Sequence, residues 1–155
     1  MSQVQLPNDG TAPASRNLPF VCPPPRLAAD TPARRLADRL LPTGAAQWPF
    51  FALVAIGIIV ASFLPLTPGL IVDAVATFAG SAWCVVNFWR CREAHCVVTG
   101  YGWAALAVLE VVELGLGRSV IGGDEGLVFL FILALGVIFE AGWRARYGSG
   151  AVIRE

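Results

Sequence analysis

The stretch Arg90-Cys91-Arg92-Glu93-Ala94-His95-Cys96 holds the only histidine of the chain, beside two thiols and two guanidinium groups. Thiolate and imidazole are the ligands that soft or borderline ions such as Zn(II) and Cu(I) prefer, and three or four ligands close a site. If one helix runs on from Cys84, then Cys84, Phe88, Cys91 and His95 stand at i, i+4, i+7 and i+11, a single stripe at about 3.6 residues per turn. Cys96 points away from that stripe unless the helix ends there. The pattern differs from a structural zinc signature, which pairs two cysteine or histidine clusters. Three readings therefore stand together. Cys84, Cys91, His95 and Cys96 form a metal site, or Cys91 does redox chemistry with its thiolate favoured by the adjacent arginines, or the thiols simply line a turn between two helices.

Carboxylates are the second set of chemically loaded residues: Asp73, Glu110, Glu113 and Glu140 all fall inside apolar runs. A charge near the middle of a bilayer costs about 2.5–3.5 kcal/mol on insertion scales. Asp73 and Glu113 lie about one turn from a run's end, and Glu140 has Arg144 at i+4. Glu110 sits deepest, and its i,i+3 spacing puts Glu113 on the same helix face. Two such carboxylates in low dielectric do not both ionise, so Glu110 is expected to hold a proton. The four suit a proton relay or cation site, or else hydrogen bonds between helices.

The elements that position these groups follow from composition. Of 155 residues, 56% are hydrophobic and 14% charged, and the mean hydropathy is +0.66. A soluble domain carries roughly 25% charged residues, and a chain this short cannot hide so much apolar surface in one core. The surplus faces lipid. Four apolar segments, about 48–64, 69–89, 97–117 and 127–143, approach the ~20 residues that cross ~30 Å of hydrocarbon as helix. They lack the alternation of a membrane barrel, so the expected fold is all-α, with four transmembrane helices as two antiparallel hairpins within 47–143. Pro65 and Pro68 bracket the first connection, and Trp48, Trp89, Trp103 and Trp143 lie near segment ends, where interfacial aromatics belong.

Residues 1–46 form a proline- and arginine-rich arm, read as disordered. Within it Thr31, Pro32, Leu36 and Leu40 allow one short helix on the membrane surface. The first span begins too far along the chain for a cleaved signal peptide. Arginines set the orientation. Five lie in the arm, two at Arg90 and Arg92, and three in the tail 144–155, against Arg118 alone on the other side. The positive-inside rule then places both termini in the cytoplasm, with the chain multi-pass in the inner membrane. Zero net charge gives no attraction toward nucleic acid.

Cys91-x3-His95-Cys96-x2-Thr99-Gly100 resembles a stretch joining two spans in a group of uncharacterised small multi-spanning membrane proteins of bacteria and archaea. The likeness covers about residues 84–103. It implies a helix–loop–helix in the membrane and supplies no activity. Four spans with several cysteines are also similar in outline to quinone-linked disulfide-forming proteins and vitamin K epoxide reductases. Those families use a Cys-x2-Cys pair, which this chain does not have.

The sequence thus leads to a small membrane module, transporter-like or handling a soft or borderline metal ion (Zn or Cu) at a cytoplasmic-face Cys/His cluster. The alternative is a non-catalytic accessory subunit of a membrane complex. No Ser-His-Asp set, Gly-rich phosphate loop or two-histidine motif argues for an enzyme. Small residues at Gly57, Ala61, Ala76, Gly80 and Gly136 suit close helix packing, in a bundle or a homodimer.

Overall fold

The computed structural model describes residues 47–148, together with Pro32, Arg35, Leu36, Arg39, Gly150 and Val152. The last four of the arm's expected helix that are described, Pro32, Arg35, Leu36 and Arg39, are helical and exposed, whereas Thr31, Leu40 and Cys22 lie outside the described residues. The described chain is all-α: α1 Trp48–Ala61, α2 Leu66–Cys91, α3 Ala94–Leu116 and α4 Glu125–Tyr147. Each helix packs on the next in sequence, α1 on α2, α2 on α3 and α3 on α4.

Three helices, α2, α3 and α4, are long and apolar enough to cross a membrane. At 1.5 Å per residue they measure roughly 34–39 Å, whereas the 14 residues of α1 reach only about 21 Å. The expected first span is therefore shortened at its end, where Ser62 folds its hydroxyl back to Ile58 O at 3.1 Å and a turn leads into Pro65. Pro65 is the N-cap of α2, and Pro68, expected in the connection, stands in the helix's first turn. A missing N–H there removes no helical hydrogen bond.

Small residues set the helix spacing. Gly57 on α1 faces Ala76 on α2, and a Cβ at Gly57 would stand 3.1 Å from Ala76 Cβ. Gly80 lies under the ring of Trp103, and Gly102 under Ile132. The core gathers Val54, Ile58, Ala76, Cys84, Trp103, Leu106 and Phe129. Trp103 stacks on Phe129 with ring centroids 4.4 Å apart, and its indole N–H donates to Phe129 O at 3.2 Å. Nearby on α2, less than one turn past Gly80, Trp83 stacks on Phe50 of α1 at 4.2 Å. In lipid such packing and satisfied polar groups hold helices together, since apolar side chains gain nothing by leaving hydrocarbon.

Helix α2 does not continue through the Cys/His stretch. Arg92 takes a left-handed conformation (φ 56°) with its N–H bonded to Phe88 O, Glu93 is extended, and α3 starts at Ala94. The continuous stripe from Cys84 to His95 is thereby replaced by a sharp hairpin that folds His95 and Cys96 back against α2.

Candidate metal centre

The hairpin at Arg92–Glu93 puts His95 and Cys96 in the first turn of α3, facing both α2 and α4. His95 is the hub. Its Nδ1 pairs with Glu140 Oε2 of α4, and its Nε2 lies 3.3 Å from Cys96 Sγ. Glu140 Oε1 pairs with Arg144, one turn further along α4, as its i+4 spacing suggested, and Arg144 also reaches Glu93 Oε2 at 3.7 Å. Glu93, His95 and Glu140 are all buried, and one ligand atom from each lies within 4.8 Å of the other two.

Gly136 makes this register possible. It precedes Glu140 by one turn, and a Cβ there would come within 2.7 Å of Thr99 Cγ2. Thr99 follows His95 by one turn and donates its hydroxyl to His95 O at 2.9 Å. The closeness of the two helices at Gly136 thus carries Glu140 onto the imidazole. The chain beyond α4 covers the other side: Ala94 N–H donates to Gly150 O at 2.9 Å and Val152 N–H to Arg92 O at 2.8 Å. A side chain at Gly150 would run into Glu93 and Arg144.

The expected thiol ligands are placed differently. Cys96 sits on the Nε2 side of the imidazole, away from the carboxylates, and Cys84 of α2 contacts Cys96 and Thr99 there. The two thiols are buried and free. The side chain of Cys91 lies outside the described residues. Glu140, read from sequence as a proton or cation residue, is carried by α4 into the His95 cluster, apart from Asp73, Glu110 and Glu113. Glu93 was not among the expected ligands. Its signal was in plain view, a carboxylate two positions before the only histidine, but it gains meaning only once the helix breaks and turns it inward.

The carboxyl of Glu93, in the loop, is pushed above its ordinary value of 4.5 by burial first and by the charge of Glu140 second, with Arg144 and His95 opposing. Two carboxylates and an imidazole in one buried pocket are a donor set that could hold a cation, and Arg144 supplies one from the chain itself. A divalent ion would take the same carboxylates. Ligands of a tetrahedral ion at ~2.0–2.2 Å stand roughly 3.4 Å apart, so His95 Nδ1 and Glu140 Oε2, which pair directly, would have to part slightly to admit an ion. Were Nδ1 to hold an ion, the imidazole N–H would lie on Nε2, where Cys96 sulfur at 3.3 Å could accept it and orient the ring.

The remaining expected residues lie elsewhere. Asp73, Glu110 and Glu113 are buried toward the opposite end of the bundle. Glu113 accepts the N–H groups of Val120 and Ile121 and so fastens the α3–α4 loop. Comparison with known protein families, with curated proteins and with solved structures returns no match.

Proposed function

We propose that the protein is a four-span inner-membrane protein, with both termini and the Arg92–Glu93 loop in the cytoplasm, that handles a borderline transition-metal ion at that face. The observation carrying this reading is the buried trio Glu93, His95 and Glu140, with three potential ligand atoms mutually within 4.8 Å. One imidazole and two carboxylates favour Zn(II) over Cu(I), which prefers thiol donors. Cys96 then serves as the outer partner of His95, and Cys84 stands behind it. Three spans come from α2, α3 and α4. Helix α1, with exposed Trp48 and Phe63 at its two ends, crosses with local thinning of the bilayer. The excess of arginines on one side supports the orientation.

A second reading, an accessory subunit in a homodimer or larger complex, draws on the outer face of α4. Leu127, Leu130, Phe131 and Ile138 are exposed there and fit either lipid or a partner helix.

Zinc analysis of the protein purified in mild detergent under reducing conditions separates the two. About one equivalent is expected, lost in His95→Ala and in Glu140→Gln and retained in Cys91→Ala. Zinc content unchanged in both ligand variants, or none in the parent protein, would overturn the metal reading.

A further inference from the structure

The end of the bundle away from the metal centre holds a second set of ionisable groups. At 1.5 Å per residue, Glu110 lies roughly 22 Å further along α3 than His95. Asp73 comes from α2, Glu110 and Glu113 from α3, and Glu125 from α4. All four are buried, Glu110 and Glu113 completely. Asp73, Glu110 and Glu125 lie close enough to feel one another's charge. No basic group offsets them among the described residues: α1 has no ionisable side chain, and Arg118, in the adjoining loop, is exposed.

Two of the four have structural employment. Glu113 holds the loop N–H groups, and Glu125 accepts the Ser119 hydroxyl at 2.7 Å, while Ser119 Oγ accepts the Gly123 N–H at 2.9 Å. Asp73 and Glu110 do not. Glu110 Oε1 accepts the hydroxyl of Thr77, one turn past Asp73 on α2, at 3.3 Å, but Glu110 Oε2 and Asp73 Oδ1, like the second oxygen of Glu113, are buried with no hydrogen-bond partner. A buried acceptor without a donor is costly, and a buried unpaired carboxylate more so. The missing element is a donor that also removes charge. A metal ion fits poorly, because among the described residues the oxygens here do not gather as the Glu93, His95 and Glu140 atoms do. A proton fits, since one carboxylic O–H removes one buried charge and supplies a donor where these buried oxygens have none.

We infer that Asp73, Thr77 and Glu110, with Glu125 and Glu113 as acidic neighbours, form a proton-binding site at the end of the bundle away from the metal centre. Resting on the metal-handling reading, the inference makes this proton the ion exchanged for a divalent cation: a carboxyl that gives up H+ as zinc moves the other way lowers the net charge carried through low dielectric.

Two measurements test it, the first independent of metal. Infrared difference spectra between acid and alkaline pH, taken on zinc-free protein in lipid nanodiscs, should show the carbonyl-stretch band of a buried protonated carboxylic acid. That band should vanish in Glu110→Gln and shift in Asp73→Asn. Should Glu110→Gln fail to fold, Glu110→Asp must shift the band instead. Absence of the band, or a band unmoved by every variant, overturns the proton site even if zinc binds. In proteoliposomes enclosing a pH-sensitive dye, a zinc gradient should drive proton movement that Glu110→Gln abolishes while zinc affinity stays within twofold of the parent. Proton movement undiminished in Glu110→Gln overturns the coupling. An infrared band that behaves as expected in a protein that binds no zinc sinks the metal reading and leaves the proton site standing.

Discussion

Gly136 of α4 lies against Thr99 of α3 so closely that a single added carbon would stand 2.7 Å from Thr99 Cγ2. One turn from each are Glu140 and His95, whose contact depends on that approach. Gly136→Ala should therefore separate the helices or displace Thr99, costing about 1–3 kcal/mol as overpacking. Zinc affinity should fall roughly tenfold for each 1.4 kcal/mol that reaches the site. Thr99→Ser removes the obstructing methyl and keeps the hydroxyl on His95 O, so the double variant should recover most of both losses. Equal zinc affinity in Gly136→Ala and the parent protein, measured by competitive titration, would break the link.

Arg144 competes for the carboxylates that a metal ion would use. Its removal in Arg144→Ala takes away the partner of Glu140 and the long contact with Glu93. Because the guanidinium is partly exposed, the loss to the zinc-free protein should be modest, about 1 kcal/mol or less. Zinc should bind more tightly, since two carboxylates are released from a rival cation. Weaker zinc binding in Arg144→Ala would show that the arginine positions the ligands instead of competing with the ion.

Glu93 gives the pH dependence a sign. Its folded carboxyl is held above the ordinary 4.5, mainly by burial, so folding favours its neutral form. That contribution to stability is complete below the ordinary value and is lost as pH rises through the raised folded one. Thermal unfolding of zinc-free protein in detergent should weaken over that interval, and Glu93→Gln, which stays neutral, should flatten the decline. An equally steep fall in Glu93→Gln would assign the dependence to another group.

The orientation is tested at two exposed positions. Val120, in the α3–α4 loop, and Arg146, near the end of α4, are both exposed. In intact cells a membrane-impermeant maleimide should label Val120→Cys readily and Arg146→Cys only after permeabilisation. The reverse pattern would turn the molecule over.

The helical class and the approximate spans could be read from the sequence, because long apolar runs in lipid leave helix as the remaining option and Pro65 marks a stop. The boundaries shifted where side chains intervened. Ser62 capped α1 early, and Pro68 proved compatible with a first turn. The glycine and alanine notches were also legible, since Gly57, Gly80 and Gly136 each meet a neighbouring helix. A turn within 90–96 was legible from the gap between the apolar runs, but its exact place was not. An arginine at φ 56° carries none of the glycine signal that usually announces a left-handed helix end. The stripe of Cys84, Cys91 and His95 required a helix running through that turn, and the break at Arg92 removes it and turns Glu93 inward. Pairing His95 with Glu140 required the register of α3 on α4, a tertiary fact that no local pattern encodes.

Trp103 offers a check on the core itself. Its ring lies flat on Phe129, with an interplanar angle of 2°, and its N–H satisfies a backbone carbonyl. Trp103→Phe keeps most of the stacking and leaves Phe129 O without this donor, so it should cost about 1–3 kcal/mol. Denaturation in mixed micelles should register that loss while zinc affinity stays unchanged. A variant as stable as the parent would mean that the carbonyl finds a replacement donor.

The covering of the Glu93 pocket by Gly150 and Val152 bears on biogenesis. Glu93 and His95 leave the ribosome well before Glu140, and the segment that bonds to Arg92 O and Ala94 N–H emerges later still. A nascent chain with only three helices inserted would present an imidazole and two thiols without their carboxylate or cover. Assembly of the pocket therefore waits on arrival of the last helix. A ribosome-stalled intermediate ending before Gly136 should have cysteines open to alkylation that become protected once α4 and the segment behind it have docked.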